Sequence, residues 1–241
     1  MNDNIQFQRL AAVAAILSAP LAFGSVALSL AAVNGNAQAF LDGSVIAIGL
    51  RGANLFRWAM LLDIFGFYLL LAPLALVLWH WLEPRGPNLV RFYTVCGLAY
   101  ILIGAMGAVV LSAVEPPLMI EYAQASASQR EILEVVFNSF YRAVDRGLWN
   151  PLEALLASIW WLGIGLAVRR ERSALGVVTV VLGLSALLDA VGRIFTVEAV
   201  YQVGVGGLFL LLPIWALWFG IDLLRRPVVS IASIEAGGRL T

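Results

Sequence analysis

"GVVTVVLGLSALLDAVGRIF", residues 176–195, decides how the chain is read. Twenty residues of helix rise about 30 Å, the thickness of a bilayer's hydrocarbon core. Within them only Asp189 and Arg193 can carry charge; the rest is fit for lipid. Five further stretches meet the same demand, so spans are expected at about 10–33, 56–82, 89–114, 151–168, 174–195 and 201–224. The composition agrees: 61% of the 241 residues are hydrophobic and 12% charged. The expected fold is therefore all-α, a polytopic integral membrane protein with a single domain of six transmembrane helices over residues 1–241 and a C-terminal tail at 225–241. The lipid bilayer is its first partner.

Residue usage excludes several chemistries. All fifteen basic residues are arginine, so no lysine can form a Schiff base with retinal or pyridoxal phosphate. Cys96 and His80 are the only residues of their kinds, which rules out an intramolecular disulfide, a multi-histidine zinc site and a bis-histidine haem. No metal and no cofactor is expected. The formal charge is zero and the longest basic cluster is Arg169, Arg170 and Arg172, so nucleic acid is not a partner. Phosphate loops and nucleophile elbows are absent.

Arginines also orient the spans. Arg9, Arg85, Arg91, Arg169, Arg170, Arg172, Arg225, Arg226 and Arg239 share the face of the N-terminus, whereas Arg51, Arg57, Arg130, Arg142 and Arg146 lie on the other. The positive-inside rule puts both termini in the cytoplasm, in a bacterial plasma (inner) membrane. The opposite face is acidic, with Asp42, Glu115, Glu121, Glu131, Glu134, Asp145 and Glu198. Trp79 and Trp81, flanking His80, read as an interfacial belt. Residues 39–50 are too short to cross and too apolar to be solvated, so they lie in the interface or fold back onto the bundle. Over 128–147, Glu131, Glu134, Asn138, Arg142 and Asp145 recur at helical steps opposite Leu133, Phe137, Phe140 and Val144. That pattern predicts an amphipathic surface helix whose Phe137 and Phe140 face lipid or the bundle.

An ionisable residue at the centre of a span costs about 2.5–3.5 kcal/mol and needs a reason. For Glu153 the sequence "NPLE", residues 150–153, suggests one: an N-cap, a proline at the first helical position and a capping-box glutamate at the mouth of span four. Asp63 and Asp189 each sit in a Leu-Leu-Asp-x-x-Gly pattern, one per half of the chain and both in the outer third of their spans, as an inverted repeat would place them. Asp189 and Arg193, one turn apart, can pair along the helix, or Arg193 can snorkel outward. Asp63, Asp189, Arg193 and Arg57, with Glu153, form the candidate polar binding layer for a small-molecule or lipid ligand. Glycines in spans three, five and six allow close helix packing, and Pro73 and Pro213 are candidate kinks.

The Asn-Pro-Leu-Glu entry to span four, the arginine-rich turn and the 176–195 stretch together resemble the bacterial membrane family catalogued as domain of unknown function 4386. The resemblance covers about residues 10–224 and implies a six-helix inner-membrane protein without assigning an activity or site residues. The residues themselves leave two readings open. One is a non-enzymatic subunit, accessory or ligand-binding protein, with a membrane protein partner or a second copy. The other is a small transporter built around Asp63 and Asp189. An enzyme would have to work with carboxylates and arginines alone.

Overall fold

The computed structural model describes residues 2–226, without the side chains of residues 2, 41 and 42; most of the expected tail lies outside the described residues. In chain order the α-helices are α1 (Asn2–Ala32), α2 (Gln38–Asp42), α3 (Gly49–Asp63), α4 (Ala72–Leu82), α5 (Pro87–Gln124), α6 (Ala127–Ala143), α7 (Ala154–Val168), α8 (Ser173–Ile194) and α9 (Glu198–Arg225). No strand occurs among the described residues. Six runs are long and apolar enough to cross a membrane: Asp3–Ala32, Ser44–Arg85, Pro87–Gln124, Ala127–Val168, Ser173–Ile194 and Glu198–Arg225. The protein is an all-α, multi-pass membrane protein.

The spans close into a ring. Each packs against its neighbour in sequence, and α9 returns to pack along α1. An even number of crossings puts both ends of the described chain on one face, called here the terminal face. At the ring's centre Trp160, Trp161, Trp215 and Phe219 are fully buried, with Trp160 and Trp161 stacked at 5.4 Å and both edge-on to Trp215. Tyr100 joins them at 5.1 Å from Trp161. These rings plug the bundle.

Spans three and four run longer than hydropathy alone suggests. The 38 residues of α5 rise about 57 Å, well beyond a hydrocarbon core of about 30 Å. Residues 128–147 begin as the expected amphipathic helix, α6, which continues through a π-helical segment, Val144–Glu153, into α7 as one 42-residue run. Hydropathy falls where side chains turn polar, but backbone hydrogen bonding does not. The amphipathic pattern still decides how α6 packs. Phe137 and Val144 are buried against the bundle, whereas Ile132, Val135 and Phe140 are exposed. The helix starts at a true capping box, Ser126 to Gln129, where the Gln129 side chain accepts the Ser126 N–H at 3.0 Å.

The short α2 and a 3₁₀ turn, Ser44–Ile48, fold residues 39–50 back onto the bundle and bury Val45 and Ile46. On the terminal face Trp81 is not a belt residue. It is buried, donates to Glu171 at 3.2 Å, and carries the Arg172 guanidinium 4.6 Å above its ring. Arg172 is ion-paired with Asp222 and Arg85 with Glu171, so charge pairs tie spans two and six to the turn before α8.

Candidate functional site

Two prolines shape the site by withholding hydrogen-bond donors. Pro151 cannot supply an N–H to the preceding turn. The Asn150 side-chain amide supplies two, reaching the Asp145 carbonyl at 2.6 Å and its carboxylate at 2.8 Å across the π-helical segment. In span two, Asp63 ends α3 and is followed by a π-turn, Ile64–Tyr68, and a 3₁₀ turn, Leu69–Leu71, ahead of Pro73. Tyr68 leaves helical geometry at φ −128°, ψ −82°, and the Phe67 carbonyl accepts the Tyr100 hydroxyl at 2.7 Å. Span two therefore loses α-helical geometry over residues 64–71, ahead of Pro73, whereas α9 runs through Pro213 without interruption.

A cavity of about 360 Å³ opens on the face opposite the termini. α6 and its π-segment form one side with Asn138, Tyr141, Arg142, Asp145 and Arg146; the ends of α8 and α9 contribute Arg193, Glu198 and Tyr201. At its floor Arg193 pairs with Asp145 at 3.4 Å, and its guanidinium lies 3.4 Å from the centre of the Tyr201 ring. Glu198 accepts the Gln202 amide at 2.7 Å. Arg142 and Arg146 are exposed and enter no ion pair among the described residues. Both guanidiniums line the cavity, Arg146 within electrostatic reach of Asp145.

Acids lie beneath this floor. Asp189 is buried, feels the charges of Arg193 and Asp145, and has no hydrogen-bond partner for Oδ1. Its backbone rests against Gly204, where any Cβ would collide with it. Glu153 accepts the Tyr68 hydroxyl at 3.3 Å and is within electrostatic reach of both Asp63 and Asp189. Asp63, buried, accepts the Ser25 hydroxyl of α1 at 3.2 Å.

Other expectations need correction. Glu153 caps no helix, because α6 runs into α7 without a start at residue 151. Arg193 takes Asp145 as its ion-pair partner in place of Asp189, since the π-segment brings Asp145 to the end of α8. Arg57 is exposed and lies off the α3 stripe of Phe56, Ala59, Met60 and Asp63 that faces the bundle, so it does not join the layer. Glu115 is fully buried within α5, not on the acidic surface, and neither carboxyl oxygen has a partner.

The paired Leu-Leu-Asp-x-x-Gly patterns share a local use. Gly66 lets span two meet the α1 backbone at Ala22, and Gly192 lets α8 meet α9 at Tyr201. The partners are the first helix in one half and the last in the other, so the pattern marks a helix crossing more than a repeated unit. In α5, Gly97, Gly104 and Gly107 receive the rings of Trp160, Tyr68 and Trp149, not another backbone.

No protein-family model matches the chain, and no characterised protein or solved structure is significantly similar to it. The class that fold and site define is accordingly structural: a polytopic six-span helical membrane protein with a polar cavity at one face.

Proposed function

We propose that the protein is a non-enzymatic membrane protein that binds a small anionic or zwitterionic ligand, or a lipid head group of that chemistry, in the cavity on the face opposite its termini. One observation carries the reading: a cavity of about 360 Å³ presents Arg142 and Arg146 with no ion-pair partner. Its volume lies within the range of small-ligand sites, and a guanidinium fork suits carboxylate and phosphate oxygens. Asp145 and Glu198, already engaged on the cavity wall, leave room for a ligand's positive group. The alternative, a small transporter, draws support from the plugged centre and the ion-paired terminal face, which leave this cavity open to one side only.

The test is thermal unfolding of the purified chain in detergent with inorganic phosphate, acetate, or phosphatidylglycerol against phosphatidylcholine, at matched ionic strength. A probe at a hundred times its Kd should add about 2.7 kcal/mol and raise Tm by about 5–10 °C. Arg142→Gln with Arg146→Gln should abolish the rise while leaving the unliganded Tm nearly unchanged. Stabilisation by none of these anions beyond the chloride control overturns the reading.

We further propose that the membrane is a bacterial inner membrane with both termini cytoplasmic, so that the cavity faces outward. Among the described residues, eight arginines on the side of the termini against five opposite support this. With Cys96→Ala as background, Glu235→Cys should resist an impermeant thiol reagent in intact cells and react after lysis. Labelling from outside would reverse the orientation.

A further inference from the structure

We infer that the ligand of the cavity carries a primary ammonium group alongside two negative charges, and that Glu198 is the residue that selects the ammonium. The inference rests on the anion-site reading above and narrows it to one class, the phosphorylated or dicarboxylic amines, taken either as a free solute or as the serine head group of a phospholipid.

The charges lining the cavity carry the first step. Three guanidiniums, of Arg142, Arg146 and Arg193, stand against two carboxylates, of Asp145 and Glu198. However these five pair among themselves, one positive charge is left over, so a ligand of net charge about −1 balances the site and a plain zwitterion does not. The charges also sit on different elements. Arg142 and Arg146 are one turn apart on α6 and its π-segment, whereas Glu198 comes from the start of α9. Asp145 is committed, to Arg193 at 3.4 Å and to the Asn150 amide at 2.8 Å. Glu198 holds no cation among the described residues and accepts only the neutral Gln202 amide, at 2.7 Å. It is the carboxylate left for a ligand's positive group.

The neutral polar groups say which kind of positive group fits. A carboxylate only accepts, so the Gln202 nitrogen is turned to Glu198 and its carbonyl oxygen is left over as an acceptor. Asn138 is fixed in the same way, because its nitrogen donates to the Glu134 carbonyl at 2.9 Å and its Oδ1 faces Gly43. Residue 43 has φ 81°, and a Cβ there would overlap that oxygen, so only glycine leaves it in place. Gln202 and Asn138 thus add acceptors to the carboxylate. A primary ammonium brings three N–H donors to them; a trimethylammonium brings none. The ligand's phosphate, or its pair of carboxylates, accepts from the forks of Arg142 and Arg146.

Titration calorimetry of the purified full chain in detergent, at neutral pH and matched ionic strength, tests this with O-phosphoethanolamine, phosphocholine and inorganic phosphate. O-phosphoethanolamine should bind about fivefold more tightly than inorganic phosphate, as one exposed charge pair allows, and phosphocholine should fall between them. Glu198→Gln keeps an acceptor for the Gln202 amide and should move two of the ligands in opposite directions. O-phosphoethanolamine loses its advantage, whereas inorganic phosphate binds as tightly as before or more so, since a negative charge has left the cavity. In nanodiscs, phosphatidylserine and phosphatidylglycerol carry the same net charge and only the first has an ammonium. A higher Tm in phosphatidylserine that Glu198→Gln abolishes supports the lipid source, and amine-selective binding without it supports the free solute. Inorganic phosphate that binds as tightly as O-phosphoethanolamine overturns this inference and leaves the anion site standing. So does a Glu198→Gln variant that weakens both ligands alike. Binding by none of the three overturns both readings.

Discussion

Gly204→Ala is expected to lower the Tm of the purified protein by about 6–12 °C, while Gly206→Ala, two residues along the same helix, leaves it unchanged or raises it. The contrast follows from what each new methyl would meet. At Gly204 the added carbon runs into the Asp189 backbone, which cannot rotate away as a side chain could. Helices α8 and α9 must then move apart, and with them the floor of the cavity, because Arg193 and Tyr201 lie just beyond the crossing. Overpacking of this kind costs about 1–3 kcal/mol and sometimes more, and here the neighbour is rigid. At Gly206 the methyl points into open space, and replacing glycine inside a helix gains up to about 1 kcal/mol from propensity alone. Gly207→Ala should fall between them, because its obstacle is the Ser185 hydroxyl, which can change rotamer. Thermal unfolding in one detergent ranks the three, and equal effects at 204 and 206 would show that the crossing is not tight.

What the sequence makes legible follows from which physics is local. A run of twenty apolar residues states its own solvent, so the number of spans and the all-α class can be read directly. Asp63 and Asp189 stand out for the same reason, since each contradicts its apolar surroundings. Partners are another matter. That Arg193 would choose Asp145, 48 positions earlier, depends on how a π-turn advances α7 relative to α8, and no periodicity announces a π-turn. Pro151 was the available signal, and it also fits a helix start, which is how "NPLE" suggests a cap for Glu153. The cue at Ser126 and Gln129 was equally plain, yet it precedes a polar segment instead of an apolar run. Glu115 was hidden by two adjacent prolines that suggest the end of a span, although α5 continues past them to Gln124. Tyr68 and Tyr100 carry no signal in a chain this rich in aromatics; only the geometry makes them hydrogen-bond donors to Glu153 and to the Phe67 carbonyl.

Arg193→Gln and Asp145→Asn are each expected to destabilise the protein by about 2–3 kcal/mol, with the double variant little worse than either alone. The two side chains are 12% and 16% exposed, so the loss should fall short of the 3–5 kcal/mol typical of breaking a fully buried pair. Asparagine at 145 still accepts the Asn150 amide through its carbonyl oxygen, so the π-turn survives and the cycle isolates the ion pair. Arg193→Gln loses somewhat more, because the guanidinium also lies over the Tyr201 ring. Asp189→Asn should behave differently. Its Oδ1 has no donor, so asparagine at this position breaks no hydrogen bond at that oxygen. The variant should keep wild-type stability, or gain slightly, and its coupling to Arg193→Gln should be smaller than that of Asp145→Asn. Denaturation of the single and double variants supplies both couplings. If pairing within α8 governed this corner, Asp189→Asn would cost as much as Arg193→Gln and the larger coupling would lie between those two residues. That result would return Arg193 to its own helix and leave Asp145 free for the cavity.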